Sequence, residues 1–182
     1  MINLSETQGR SSSKDGITVT SLGSGSRGNC LYVGTPVGAL LIDAGFSAKE
    51  TLRRLAVAEL DPAGISAILL THEHGDHIRG LSPLSRRLGI PAYLNEATYR
   101  SIGSPSLPEV IHFKTGDHFQ VGALRVETLA LPHDAVDPAA FIVEWGGRRV
   151  GNFTDFGIPT NTLIEAAKGC DVLGLEANHD EQ

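Results

Sequence analysis

The run Ile65 to Leu70, followed at once by Thr71-His72-Glu73-His74-Gly75-Asp76-His77, constrains this chain more than any other feature. A short, compact, largely apolar run reads as a buried strand. Polar residues that follow such a strand directly stand at the edge of a sheet, where loops carry function. Three of the chain's seven histidines fall within these few positions, too dense a cluster for an ordinary solvated loop. Imidazole and carboxylate are donors that suit Zn²⁺ and also Mn²⁺ or Fe²⁺. In an extended segment His72 and His74 point to the same side and can grip one ion together. The turn at Gly75 swings Asp76 and His77 onto a neighbouring position, where they can hold a second.

Two ions need further ligands, and strand ends supply candidates. His133, in Leu129-Ala130-Leu131-Pro132-His133-Asp134, follows the apolar strand Leu124 to Leu131, and Asp155 follows the strand Val150 to Phe153. An aspartate can place one oxygen on each of two cations, which a histidine cannot do. His112 and His118 read as surface or packing residues. The segment from Ser21 to Asn29 is rich in glycine and serine but lacks the Gly-Lys-Ser/Thr of a phosphate loop. It reads as a tight turn beside the metal site, whose amides can touch substrate. Cys30 and Cys170 are too few for a disulfide framework and read as small buried hydrophobes. The pairs Arg53-Arg54, Arg86-Arg87 and Arg148-Arg149 read as solvated faces.

The periodicity gives mixed strands and helices. A strand near Ile17 precedes a hairpin that turns at Gly34–Pro36, and Ala39–Ile42 forms a buried strand. Ser47 caps a helix that runs to Leu60, and further helices cover Leu81–Leu88, the neighbourhood of Glu96–Ser101, and Thr160–Lys168. Strands cover Pro91–Leu94, Val110–Phe113, Phe119–Val121, Leu124–Leu129, Ala140–Trp145, Arg148–Asn152 and Val172–Leu175. This pattern is an α/β sandwich. Residues 1–16, polar and without periodicity, read as a flexible tail, and 17–182 as one domain. A hydrophobic fraction of 41% excludes a disordered chain. A net charge of −6 argues against gripping nucleic acid through overall charge, yet leaves room for an acidic enzyme whose metal ions handle phosphate locally. No apolar run approaches the roughly 20 residues that span a bilayer, and the N-terminus lacks a signal-like apolar stretch, so the expected compartment is the cytoplasm.

The ordered set Ser24-Gly25-Ser26-Arg27-Gly28-Asn29-Cys30, Leu41-Ile42-Asp43-Ala44-Gly45, His72-Glu73-His74-Gly75-Asp76-His77, His133-Asp134, Thr154-Asp155 and Glu176-Ala177-Asn178-His179-Asp180 resembles the metallo-β-lactamase superfamily. Within it the chain is most similar to the bacterial YycJ/WalJ-like exonuclease branch. The resemblance implies the αβ/βα sandwich of that superfamily, with His72, His74 and His133 on a first divalent cation, Asp76 and His77 on a second, and Asp155 bridging both. It implies that Asp43 lies just under the site and orients ligand imidazoles, against the plainer reading of a turn cap. It also implies that the chain is an N-terminal portion that stops at Gln182 before another histidine of the second site. His179 then becomes a substrate-handling or proton-handling candidate. The implied reaction is hydrolysis of a phosphodiester, as in a 5′-to-3′ DNA exonuclease, by a hydroxide held between two cations about 3.5–4 Å apart, Zn²⁺ first and Mn²⁺ second. DNA is then the expected partner, with no membrane and no oligomeric state implied. Hydrolysis of a thioester, lactone or cyclic phosphodiester stays open, as does an inactive metal-binding fragment, because fold alone does not choose chemistry.

Overall fold

The computed structural model of the chain describes residues 10–11 and 16–175. Strands β1 (Arg10–Ser11), β2 (Thr18–Gly23), β3 (Cys30–Thr35), β4 (Gly38–Ile42), β5 (Ile65–Leu69), β6 (Ala92–Asn95) and β7 (Val110–Phe113) lie side by side in that order. Pairing is antiparallel from β1 to β4 and parallel from β4 to β7. A second sheet holds β8 (His118–Val121), β9 (Leu124–Ala130), β10 (Ala139–Trp145), β11 (Arg148–Phe153) and β12 (Val172–Leu175), ordered β12-β11-β10-β9-β8. Only its β11–β12 pair is parallel.

Side-chain alternation along the strands decides the layers. In β3 and β4 the residues Val33, Leu40 and Ile42 enter the core between the sheets, where they meet Val126, Phe141, Val143 and Val150. The alternate set Cys30, Tyr32, Ala39 and Leu41 packs on the opposite face, under Leu55 of α1 (Ala48–Val57) and Leu81 and Leu84 of α3 (Leu81–Leu88). The short helical turn α2 (Gly75–Ile78) lies between these helices in the chain, and α4 (Glu96–Ser101) follows β6. Leu163 of α5 (Asn161–Lys168) covers the outer face of the second sheet with Ile142 and Phe153. The layers are therefore helix, sheet, sheet, helix, the expected αβ/βα sandwich. Where Ala39 pairs with Ile65 but Leu40 pairs with Ala67, an extra residue in β5 puts Ile65 and Ala67 into different cores.

Two differences from the sequence reading have local causes. α1 stops at Val57 rather than Leu60 because Glu59 turns left-handed (φ 57) while Leu60 N–H donates to Leu55 O and Glu59 N–H to Ala56 O. That pattern closes a helix, here without the usual glycine. Within the segment read as a tail, Arg10–Ser11 extends along β2 instead, using the backbone groups that an edge strand leaves open. The paired arginines have structural partners: Arg53 and Arg54 with Glu50, Arg148 with Asp171, Arg149 with Glu127, and Arg86 with the carbonyl of Ser106. Among the described residues no helix is long and apolar enough to cross a membrane.

Candidate metal centre

Four strand ends converge on one place. β4 ends into Asp43, β5 into Thr71 and His72, β9 into His133, and β11 into Asp155. β4 and β5 are parallel, and β9 and β11 run the same way because both pair antiparallel with β10. Each pair of C-terminal ends therefore sits at one end of its sheet. Ala139 N–H donates to Thr71 O across the two sheets at this point (3.0 Å). Asp43 (φ 64) and Asp155 (φ 59) both adopt the left-handed conformation, which aspartate tolerates better than most residues.

Backbone hydrogen bonds hold the His72–His77 segment against two other loops. Asn29 N–H donates to Asp76 O, Gly45 N–H to Asn29 O, Ala44 N–H to His77 O and Gly80 N–H to Ala44 O, all at 2.7–2.9 Å. Gly45 is obligatory here, since a Cβ on it would stand 1.6 Å from the Asp76 carbonyl oxygen. The loop that carries His133 is fastened separately. Val136 N–H donates to Glu73 Oε1 (2.7 Å), the Asn95 amide donates to Asp137 O, and Gly157 N–H donates to Pro132 O (3.3 Å).

The tautomers follow from these partners. The carboxylate of Asp43 only accepts, so Thr71 must spend its single hydroxyl proton on Asp43 (2.9 and 3.0 Å). The Thr71 oxygen then accepts from His72 Nδ1–H (2.9 Å), which leaves the lone pair of His72 on Nε2. That nitrogen is buried and has no hydrogen-bond partner among the described residues. A buried imidazole nitrogen without a donor is a cost to the fold unless a cation takes its lone pair. His77 donates Nδ1–H directly to Asp43 Oδ2 (2.8 Å), so its Nε2 is also turned toward the site.

Two donor groups result. His72, His74 and His133 bring ligand nitrogens within 4.8 Å of one another, and His133 Nε2 lies 3.2 Å from His74 Nδ1. Two nitrogens bound at about 2.0–2.1 Å and tetrahedral angles stand about 3.3–3.4 Å apart, so this spacing fits one cation. The second group is His72, His77 and Asp155, with His77 Nε2 3.3 Å from Asp155 Oδ2. Asp76 stands a step outside it, its Oδ2 3.6 Å from His77 Nε2. These donors fit divalent cations of the zinc or manganese kind.

The electrostatics of the two groups diverge. Burial, helped by the charges that His77, His133 and His74 can carry, holds His72 down at about 4 despite Asp43. Burial also pulls His77 down, but the charge and hydrogen bond of Asp43, then Asp155 and Asp76, outweigh it and lift His77 to about 9. The Asn29 amide facing His77 Nε2 at 2.9 Å works against that rise.

The structure thus brings together His72, His74, Asp76, His77, His133 and Asp155. His179 lies outside the described residues. His112 packs on Tyr99 and the carbonyl of Leu94, and His118 is exposed near Glu127, both away from the cluster. Three contributors carry no spacing signal in the sequence: Thr71, which relays Asp43 to His72; Glu73, which holds the His133 loop; and Asn29, whose side chain reaches Asp76 and His77. Their only sequence mark is adjacency to the motifs that do.

Residues 39–182 match the beta-lactamase superfamily domain. The chain is 38% identical over 169 residues to the exodeoxyribonuclease YycJ of Bacillus anthracis, covering 91% of this chain and 64% of that protein. It is 33% identical over 174 residues to the exodeoxyribonuclease WalJ of Streptococcus pneumoniae, covering 92% and 65%. The chain therefore spans just under two thirds of these relatives' lengths. Its fold is similar to that of the metallo-beta-lactamase fold protein YhfI of Bacillus subtilis, with a TM-score of 0.73, 21% identity, and 86% of this chain and 69% of that one covered.

Proposed function

The chain belongs to the β-lactamase superfamily, and from that premise we propose that it carries the metal centre of a binuclear phosphodiesterase, a DNA exonuclease working from the 5′ end. The observation that carries the reading is the pair of donor groups meeting at His72, with a carboxylate oxygen of Asp155 within 4.8 Å of donors on both His72 and His77. In this reading His72, His74 and His133 would hold the first cation and His77 and Asp76 the second, with Asp155 available to both. When bound, two such cations supply a water acidic enough to lose its proton near neutral pH and positive charge to offset that which builds on a phosphate. Asp76 keeps one oxygen available to orient the attacking water. Asp43 holds the His77 ring directly and the His72 ring through Thr71, the kind of support on which ligand orientation depends.

The phosphodiester class is supported by the names of the two relatives and by local charge. Arg79, one helical turn after Asp76, donates its guanidinium to the carbonyl of Arg27 (3.1 Å), two residues before Asn29. Both arginines are exposed and belong to the segments that carry Asp76 and Asn29, which supplies positive charge near the second half-site of a chain whose net charge is −6. Phosphate contacts of this kind position a nucleic acid without reading its sequence. The test is digestion of linear duplex DNA labelled at either end, with Zn²⁺ or Mn²⁺ added to the metal-stripped chain. Release of label first from the 5′ end supports the proposal. Turnover of a thioester, lactone or cyclic phosphodiester with DNA left intact overturns it.

A further inference from the structure

The amide of Asn29 lies where the second cation has to form its bonds. Gly25 N–H donates to Asn29 Oδ1 (2.8 Å), which fixes the orientation of the carboxamide. If it were reversed, two N–H groups would meet at Gly25 and an oxygen would face the Asp76 carboxylate. Nδ2 is therefore the inward atom, 2.9 Å from His77 Nε2, 3.0 Å from Asp76 Oδ2 and 3.3 Å from Gly25 O. The backbone of Asn29 is fixed as well, donating to Asp76 O (2.8 Å) and accepting from Gly45 N–H (2.9 Å). His77 Nε2 and Asp76 Oδ2 stand 3.6 Å apart, near the spacing of two ligands on one cation.

We propose that Asn29 is a placeholder for the second cation: in the metal-free chain its amide donates to Asp76 and, on the neutral ring, to His77 Nε2, and it must give up His77 before that cation binds. The inference rests on the binuclear reading above and adds to it a residue that sets the affinity of one half-site alone. An ion bonded at about 2.0–2.1 Å to a nitrogen that Nδ2 approaches at 2.9 Å cannot share that space with the amide. Asp76 need not be released, because a carboxylate oxygen can bind a cation and accept a hydrogen bond together. None of the hydrogen bonds described for Asn29 goes to His74 or His133, so the first half-site is untouched.

The test is calorimetric titration of the metal-stripped chain with Zn²⁺, comparing wild type with Asn29→Asp and Asn29→Ser. Asn29→Asp keeps the acceptor for Gly25 N–H and replaces the obstructing N–H₂ with a carboxylate oxygen. Its second equivalent is expected to bind at least tenfold tighter, its first within twofold of wild type, and its metal-free melting temperature to fall while the loaded one does not. Asn29→Ser removes the obstruction without adding a ligand, and its second equivalent tightens about fivefold, the worth of one hydrogen bond. Two equivalents in wild type, with the second no tighter in Asn29→Ser, would overturn the placeholder role alone, whatever Asn29→Asp does. A single equivalent in wild type would overturn the binuclear reading and this inference with it.

Discussion

The two donor groups share His72 but are made of opposite materials. The first is three imidazoles, with ring nitrogens already 3.2 Å apart on His74 and His133 and a His72 ring held neutral, at about 4. It has little to rearrange and few protons to displace before a cation enters. The second is an imidazole lifted to about 9 by Asp43, flanked by Asp76 and Asp155, with the amide of Asn29 lodged among them. A cation entering there must displace the Nε2 proton of the charged His77 ring or, on the neutral ring, the N–H of Asn29. The difference teaches that ligand identity does not by itself rank two sites; what occupies each lone pair beforehand also counts. The first half-site should therefore fill before the second.

The strongest way to break this comparison is to remove one ligand from each side. His133→Ala and Asp76→Ala should each reduce DNA hydrolysis by more than the roughly 10–100-fold typical of losing an outer partner, with far-UV circular dichroism unchanged. Elemental analysis should show Asp76→Ala keeping about one equivalent of metal; two retained equivalents would remove Asp76 from the second site. Acid comes next. The unfolded His72 ring takes up a proton below its ordinary value of about 6.5, whereas the folded ring resists until about 4. The metal-free chain therefore loses stability as pH falls through that window, about 3 kcal/mol in full. His77 has the opposite sign: its contribution is complete below 6.5 and is lost as pH rises toward about 9. Urea titrations of the metal-free chain, referenced to His72→Asn and to His77→Asn, separate the two slopes. A His72 contribution that does not change between pH 6.5 and 4 would remove the contrast. Asp43→Asn, which keeps a residue tolerant of φ 64, should weaken the second equivalent by about 10–100-fold and the first by less. Equal losses at both would show that the Thr71 relay matters as much as the direct bond to His77.

Much of this arrangement is legible in the sequence. Ile65 to Leu70 reads as a buried strand because all of it but Ser66 is apolar, and residues that follow such a strand directly emerge at the end of a sheet. His133 and Asp155 are legible in a related way, as polar residues after strands with an apolar face. What is not legible is sideways contact. Asn29 precedes Asp76 by 47 positions and meets it only because Asn29, Ala44-Gly45 and Asp76-His77 exchange backbone hydrogen bonds. Thr71 carries its relay through a single hydroxyl whose direction depends on Asp43, 28 positions earlier. The early stop of α1 is hidden for a related reason, since Glu59 takes a conformation that its side chain does not advertise.

The smallest expected effect concerns substrate rather than metal, and it sharpens the comparison from outside. Arg79 follows Asp76 by three residues, and its guanidinium holds the carbonyl of Arg27, two residues before Asn29. A phosphate chain should therefore approach over the second half-site. Arg79→Gln keeps a donor for the carbonyl of Arg27 while removing one positive charge. Metal content should be unchanged. DNA binding should weaken by a few-fold at low salt, and the slope of log affinity against log salt should become shallower by about one unit, the signature of one lost phosphate contact. The two effects must come together, because a weaker affinity with an unchanged slope would mean that the substitution disturbed the Arg27 loop and not the phosphate. An unchanged affinity and slope would place the nucleic-acid path away from Arg79, on the imidazole side instead.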